Sequence, residues 1–141
     1  MSEVKTKSSG NGKMIKWVVF GLLILAIATV VMNLPRGFSD DLSRIGKGKP
    51  AVVLVRDQNA VESMGLINLL GEVRGKYAGQ VEFLLTDYDT SQGRAFIASS
   101  HAAPITLVLF DAGGKQIKIL TTPLTAASLE QELTSITGAN P

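Results

Sequence analysis

Residues 51–70, AVVLVRDQNAVESMGLINLL, contain a buried strand followed directly by an amphipathic helix. The run AVVLV has no polar residue and lies between Pro50 and Arg56, which is typical of a strand covered on both faces. From residue 61 to residue 77, apolar side chains recur every three or four positions, which predicts a helix with one buried face. A strand that passes into a helix through a short polar loop favours an α/β domain.

The rest of the chain continues this alternation. Residues 81–88, VEFLLTDY, predict a second strand, and a second helix is expected to open at residues 89–92. A third strand over 105–110 is followed by the turn DAGG and by a hairpin partner over 115–120, in which apolar residues alternate. Thr125 is placed to cap a last helix over 126–136. The sequence therefore predicts an α/β domain with the element order βαβαββα.

The stretch from about residue 49 to residue 136 resembles the thioredoxin family. The resemblance rests on AVVLV as the central strand and on residues 69–90, LLGEVRGKYAGQVEFLLTDYDT, as its helix, turn and next strand. Residues 103–115, APITLVLFDAGGK, match the strand after the family's cis-proline, and the final amphipathic helix completes the match. The resemblance implies a thioredoxin-like fold for nearly the whole domain.

The positions that carry the family's chemistry hold other residues in this chain. The family's Cys-x-x-Cys motif falls on four consecutive positions, Ala60, Val61, Glu62 and Ser63. The chain contains no cysteine, and disulfide exchange needs one thiolate to attack and a second thiol to resolve the mixed disulfide. The resemblance therefore implies the fold without the redox activity, with these four positions as a degenerate active site.

Other features of the family are matched only in part. Its buried acid falls on Leu54, and the tryptophan before its cysteines falls on Asn59. The resemblance places the family's cis-proline at Pro104 and predicts a cis Ala103–Pro104 bond, although one extra residue follows this proline. The rim that the resemblance offers to a partner consists of Asn59, Glu62 and His101.

Two other chemistries have weak support in the sequence. His101 is the only histidine and would need a nucleophile and an orienting acid nearby to act as a general base, so an exposed loop histidine is the simpler interpretation. Asp87 and Asp89 stand two positions apart at a strand end, as in a divalent-metal pair, but an acid at that place also suits the cap of the next helix. We therefore expect no enzyme activity, no metal and no cofactor.

The N-terminal region predicts a membrane anchor. Residues 17–34, WVVFGLLILAIATVVMNL, carry no charge and are numerous enough to cross the hydrocarbon core of a bilayer. Trp17 suits the membrane interface, and the lysines before it predict a cytoplasmic N-terminus and an exported domain. Gly21 and Ala28 share one face of this helix and would admit a neighbouring helix or simply face lipid. A cleaved signal peptide is the alternative, since residues 26–28, AIA, have the pattern of a cleavage site.

These features divide the chain into five parts. They are a polar and basic tail over residues 1–14, a transmembrane helix over 15–35, a linker over 36–49, the thioredoxin-like domain over 50–138 and a short tail over 139–141. After residue 35, ten basic residues face eleven acidic ones, so the domain has no basic excess that would suit nucleic acid.

Two functions are compatible with such a chain. In the first, it is a redox-inactive accessory subunit in the cytoplasmic (inner) membrane, whose exported, periplasmic domain docks on other subunits of a membrane protein complex. In the second, it is an adaptor or chaperone-like domain that holds an extended peptide in a groove next to Pro104. The anchor favours the first function, because it keeps the domain near membrane partners. The expected partners are therefore the lipid bilayer and membrane proteins, without nucleic acid or a small-molecule substrate.

Overall fold

The computed structural model describes residues 11–33 and 37–138, and the chain divides into two compact units between Gly37 and Phe38. The first unit contains one helix, α1 (Asn11–Asn33). Its residues Gly12–Met32 have a mean hydropathy of 2.5, so by length and composition this helix could cross a bilayer. It begins four residues before the predicted start at residue 15, because polar residues before an apolar run can add a turn to its helix. The predicted end of the span at residues 34 and 35, and the tails over 1–10 and 139–141, lie outside the described residues.

The second unit is built on a four-stranded sheet. Its strands are β1 (Ala51–Arg56), β2 (Glu82–Asp87), β3 (Thr106–Phe110) and β4 (Gln116–Thr121). The strand order is β2-β1-β3-β4, with β1 parallel to β2 and antiparallel to β3, and with β3 antiparallel to β4. Three helices connect or follow these strands: α2 (Val61–Arg74), α3 (Ser91–Ser100) and α4 (Ala126–Thr137). The predicted order βαβαββα is confirmed.

The helices cover the two faces of the sheet separately. Val52 and Leu54 of β1 pack with residues of α2 and α4, such as Leu70 and Leu129, in one apolar cluster. Residues 51, 53 and 55 of β1 pack with Phe96 of α3 in a second cluster on the other face. The first five residues of β1 are fully buried, which confirms the prediction of a strand covered on both faces.

Helix caps fix the places where two of these helices begin. Thr90 precedes α3, and its Oγ1 accepts the Gly93 N–H at 3.0 Å while donating to the Asp87 carbonyl at 2.7 Å. Thr125 caps α4 as predicted, because its Oγ1 accepts the Ser128 N–H at 3.2 Å. The first turn of α3 is thereby held against the end of β2.

The segment predicted as a linker over residues 36–49 belongs to the domain from Phe38 onward. Phe38 packs against the cluster of α2 and α4, with the Arg74 guanidinium carbon 5.1 Å from the centre of its ring. Ser39 forms a parallel bridge with Leu84, and residues 42–44 form a short 3-10 helix. Leu42 and Ile45 pack against the cluster of α3. The predicted domain start at residue 50 is therefore wrong, because apolar side chains in a polar segment cover the outer edge of the sheet and pack against the clusters on both of its faces.

The strand directions give the sheet two distinct ends. At the upper end, β1 and β2 finish, β3 begins and β4 finishes, so this end carries the loops 57–60, 88–90, 103–105 and 122–125. At the lower end, β1 and β2 begin and β3 turns into β4, so this end carries the loops 46–49, 78–81 and 111–115. The positions of the degenerate active site lie at the upper end, where β1 passes into α2.

Candidate functional site

The loop between β1 and α2 is closed by hydrogen bonds among its own residues. The Asp57 carboxylate accepts the Asn59 N–H at 2.9 Å, and the Asp57 carbonyl accepts the Ala60 N–H at 3.2 Å. Ser63 Oγ in turn accepts the Asp57 N–H at 3.0 Å. The loop therefore folds back on itself from the strand end to the first turn of the helix.

Ser63 is the residue that ties this loop to the helix. Its exposed fraction is 1%, and its N–H donates to the Ala60 carbonyl at 3.2 Å. A buried hydroxyl that already accepts a backbone hydrogen bond is held in place and shielded from solvent. Ser63 thus has a structural role at a position where the resemblance to thioredoxins implies a cysteine.

Of the other positions of the degenerate motif, Val61 and Glu62 are exposed and Ala60 is half-buried. Ala60 has the extended backbone of an N-cap residue, with φ −97° and ψ 129°, but its side chain makes no capping hydrogen bond. Glu62 lies exposed in the first helical turn, where the helix dipole favours a negative charge. Val61 is 82% exposed and Met64 is 57% exposed, one helical turn apart. The first turn of α2 therefore presents two large apolar side chains to solvent, which we call the apolar pair (Val61 and Met64).

His101 and the predicted rim do not form a catalytic group. His101 is exposed and ends α3 in a left-handed conformation with φ 56°, and its imidazole makes no hydrogen bond or ion pair with another described residue. Asn59 and Glu62 are also exposed. Among residues 11–33 and 37–138, no group of three or more His, Asp and Glu residues is placed to hold a metal ion. A nucleophile, a base and an orienting acid are not brought together by these residues.

Arg56 and Asp87, at the ends of two neighbouring strands, form an ion pair that the sequence interpretation missed. They are register partners in β1 and β2, and the guanidinium donates twice to the carboxylate, at 2.5 and 2.8 Å. The hydrogen bond from Arg56 holds the pKa of the Asp87 carboxyl below its ordinary value of 3.8. Asp87 is therefore engaged by an arginine and is not open to a cation shared with Asp89. The feature that could have revealed this ion pair is that both residues are the last ones of two neighbouring parallel strands.

Comparison with known proteins gives a fold. No protein-family model and no curated protein matches the sequence. An uncharacterised thioredoxin-like protein from Clostridium perfringens superimposes with a TM-score of 0.64 at 14% identity, over 71% of this chain and 80% of that one. Trxlp from Edwardsiella tarda superimposes with a TM-score of 0.57 at 15% identity, over 64% of this chain and 87% of that one. Oxidised thioredoxin from Plasmodium falciparum superimposes with a TM-score of 0.56 at 14% identity, over 66% of this chain and 86% of that one.

The domain has a thioredoxin-like fold. The resemblance that the sequence predicted is confirmed at this level, and the low identities carry the comparison no further than the fold. Without a cysteine, this thioredoxin-like domain lacks the Cys-x-x-Cys motif and has no thiol for disulfide exchange.

The predicted cis bond between Ala103 and Pro104 is wrong. In the thioredoxin-like domain the cis peptide is Thr122–Pro123, at the next loop of the upper end. After Pro104, Ile105 takes a left-handed conformation with φ 63°, and its N–H donates to the Val55 carbonyl at 2.8 Å. A proline at position 105 would have no N–H to donate to Val55, so this hydrogen bond before β3 requires a residue other than proline.

A groove at the upper end also lies beside Pro123. It has a volume of about 350 Å³ and runs between α2, at Leu66 and Leu69, and the loop residues 122–124. Glu62 and Glu72 place carboxylates along its wall. Pro104 does not line this groove, so a peptide site of the predicted kind would be formed by α2 and Pro123.

The residues singled out in the predicted span lie in α1. Trp17, Gly21 and Ala28 are all exposed in this unit, and no heavy atom of the described residues would lie within 4 Å of a Cβ built on Gly21. Residues 12–32 are all exposed, and by length and composition alone this helix could cross a bilayer.

Proposed function

We propose that this protein is a redox-inactive accessory subunit, anchored by α1 in the cytoplasmic (inner) membrane, whose thioredoxin-like domain docks on other subunits of a membrane protein complex. The proposal combines an apolar helix that would cross a bilayer with a domain that lacks the thiols of disulfide exchange. The domain then contributes a surface rather than a reaction. Nucleic acid and small molecules are not part of this function.

The observation that carries the proposal is the apolar pair, Val61 and Met64. In the described part of the domain, three large apolar side chains are exposed, and two of them are this pair; the third is Ile117 on β4. Single exposed apolar residues need no explanation, but two neighbouring ones on the first turn of α2, next to the hydrogen-bonded loop 57–60, suit the centre of a protein interface.

The pair also permits a matched experiment. The tagged full-length chain is extracted in a mild detergent, and co-purifying proteins are quantified for the wild type, for Val61→Lys with Met64→Lys, and for Ile117→Lys. We expect one stoichiometric set of partners with the wild type and with Ile117→Lys, and at least about a tenfold loss with the double variant, because a lysine cannot be buried in an apolar contact. Equal recovery with all three proteins would place the contact elsewhere.

An adaptor that holds extended peptides is the second candidate, and the groove between α2 and Pro123 favours it. In that case the same preparation should contain many partners, each far below one copy per chain. Substituting Leu69→Glu in the groove wall should then reduce their recovery more than the double variant at the apolar pair does. Leu69 is half-buried, so a circular-dichroism spectrum must first show that the variant is folded.

The proposed topology has a cytoplasmic N-terminus and an exported, periplasmic domain. Its basis is the lysines at positions 5, 7, 13 and 16, which precede the apolar run. Protease added to intact spheroplasts should digest the domain and leave a fragment that contains the N-terminus. A full-length chain protected in spheroplasts would contradict the orientation, and a mature chain that begins near Thr29 would show a cleaved signal peptide instead.

A further inference from the structure

Two loops are held together at the lower end of the domain. The Gly48 N–H donates to the Ala112 carbonyl at 3.1 Å. Gly46 and Gly114 lie against each other, since a Cβ on Gly114 would stand 3.0 Å from the Gly46 Cα. Both glycines have positive φ, 80° and 87°, a conformation that side chains disfavour. The contact therefore joins the loop 46–49 and the turn 111–115 into one surface.

This surface carries three lysines, Lys47, Lys49 and Lys115. All three are exposed, and none forms an ion pair with another described residue. Asp111 is the acid between them, and its carboxylate accepts the N–H groups of Gly113 and Lys115 at 2.9 and 2.8 Å. The positive charge of this lysine surface (Lys47, Lys49 and Lys115) therefore exceeds the negative charge beside it.

The upper end has the opposite charge. Asp57, Glu62 and Asp89 carry carboxylates outside any ion pair of the described residues. The ion pair of β1 and β2 is neutral, and the remaining cation there is Arg94, whose guanidinium donates to the Asp89 carbonyl at 2.7 Å. The domain is thus polarised along its strands, with a positive lower end and a negative upper end.

The chain enters the domain from the lower end. Ser39 pairs with Leu84 in the parallel sense, so residues before Ser39 run toward the start of β2. In the sequence, four residues, 34–37, stand between the last residue of α1 and Phe38. A fully extended chain of that length reaches no farther than about 18 Å. In a chain anchored by α1, as proposed above, the start of the domain would therefore remain within that reach of the membrane.

We propose that the lysine surface rests on anionic lipid headgroups of the bilayer in which the chain is anchored, so that the upper end with the apolar pair faces away from the membrane. This inference rests on the membrane anchoring proposed for α1. Lysines are attracted to an anionic surface within about one Debye length, roughly 8–10 Å. We choose lipid as the binding partner of the lysine surface because a short tether keeps the headgroups within reach of the domain, whereas an acidic protein would have to be recruited.

The absence of cysteine allows a direct test in the full chain. Ala112→Cys in the lower turn and Asn59→Cys in the upper loop each give a unique site for a fluorescent label. The labelled chains are reconstituted in vesicles of phosphatidylcholine alone, or with one third phosphatidylglycerol, that contain a headgroup-attached quencher. We expect the label at residue 112 to be quenched in the anionic vesicles and released by added salt, and the label at residue 59 to stay unquenched in both.

Charge reversals supply the matched comparison. Lys47→Glu and Lys115→Glu should each lower the ratio of quenched to unquenched label at residue 112 by at least about fivefold, the effect of roughly one lysine at an anionic surface. Arg94→Glu makes the same change of charge at the upper end and should leave that ratio unchanged. Two results would refute the role of the lysine surface. One is equal quenching of the label at residue 112 in neutral and anionic vesicles, and the other is an equal loss of quenching with Arg94→Glu.

Further outcomes separate this inference from the proposed function. Chains that do not float with the vesicles would overturn the membrane anchor and this inference with it. Chains that float but leave the label at residue 112 unquenched, or quench the label at residue 59 instead, would overturn only the orientation. If residue 112 stays unquenched while Lys47→Glu removes a co-purified acidic protein, the lysine surface binds that protein and not lipid.

Discussion

Replacing Ser63 by alanine should destabilise the domain by about 1–2 kcal/mol, the usual penalty for a backbone donor left without its acceptor. Ser63 Oγ is buried and accepts the Asp57 N–H at 3.0 Å, and no other described atom accepts that N–H. The alanine leaves little empty volume, so the lost hydrogen bond dominates the effect. Asp57 is half-buried, and water that reaches its N–H would offset part of the penalty.

The measurement is urea unfolding of the full chain in detergent micelles, followed by far-ultraviolet circular dichroism. Tryptophan fluorescence would not report on the domain, because the only tryptophan, Trp17, lies in α1. Ser99→Ala is the matched control: its hydroxyl donates to the Phe96 carbonyl within α3, and its loss should change the unfolding free energy by less than about 0.5 kcal/mol.

A second variant sharpens the same test. Ser63→Cys keeps nearly the shape of the side chain but offers a weak acceptor, so its stability should fall between those of the wild type and Ser63→Ala. If Ser63→Ala were no less stable than Ser99→Ala, the hydrogen bond to Asp57 would not hold the loop. The reasoning about the degenerate active site would then be refuted.

Three further predictions concern other elements of the domain. Ala60→Ser should stabilise it by about 0.5–1 kcal/mol in the same urea assay, because Ala60 has N-cap geometry without a capping side chain, and unchanged stability would mean that the first N–H groups of α2 are already satisfied. Gly93→Ala should destabilise the domain by more than about 2 kcal/mol, since a Cβ would stand 1.8 Å from the Asp87 carbonyl oxygen. Gly71→Ala, where a Cβ would meet open space, should instead stabilise it by about 0.5–1 kcal/mol. Thermal melts of the two variants, measured side by side, test both expectations. The lowered pKa of Asp87 contributes stability that is complete above its ordinary value of 3.8 and is lost as the pH falls through the lower, folded-state value, so urea midpoints should drop less steeply in acid for Asp87→Asn than for the wild type.

The sheet and its helices were predictable because their signals are local. The run AVVLV is apolar at every position, and burial of β1 on both faces follows from that pattern alone. Thr125 caps α4 because a short polar side chain directly precedes an amphipathic run. In each case the neighbours in sequence are also the neighbours that decide the structure.

The segment before β1 was not predictable in the same way. Its glycines and charges are typical of a linker, and its apolar residues, Phe38, Leu42 and Ile45, are too few to predict an element by themselves. They become ordered because the edge of β2 and the face beside α3 are there to be covered. The uncovered edge and face exist only once the sheet has assembled, so no local sequence pattern predicts that this segment packs there.

The candidate site was predictable in position but not in detail. Counting along the resemblance assigned the degenerate motif to residues 60–63, which the structure places at the junction of β1 and α2. That these residues correspond to the family's motif stays a prediction. The hydrogen bond from Asp57 to Ser63 depends on a loop geometry that no spacing reveals, and the pairing of Arg56 with Asp87 depends on the register of two strands. The cis peptide lies at Thr122–Pro123 and not at Pro104, where the resemblance placed it.

The bridge between Ser39 and Leu84 has a practical consequence for any soluble form of the domain. β2 is an outer strand, and an outer strand with bare N–H and C=O groups recruits strands of other molecules. Here the Leu85 N–H is satisfied by the Ser39 carbonyl at 2.9 Å, and Phe38 covers apolar surface beside it. A fragment that starts at Pro50 would expose the edge of β2 and should aggregate. A fragment that starts at Phe38 keeps this edge covered and should stay monodisperse at concentrations suited to crystallisation.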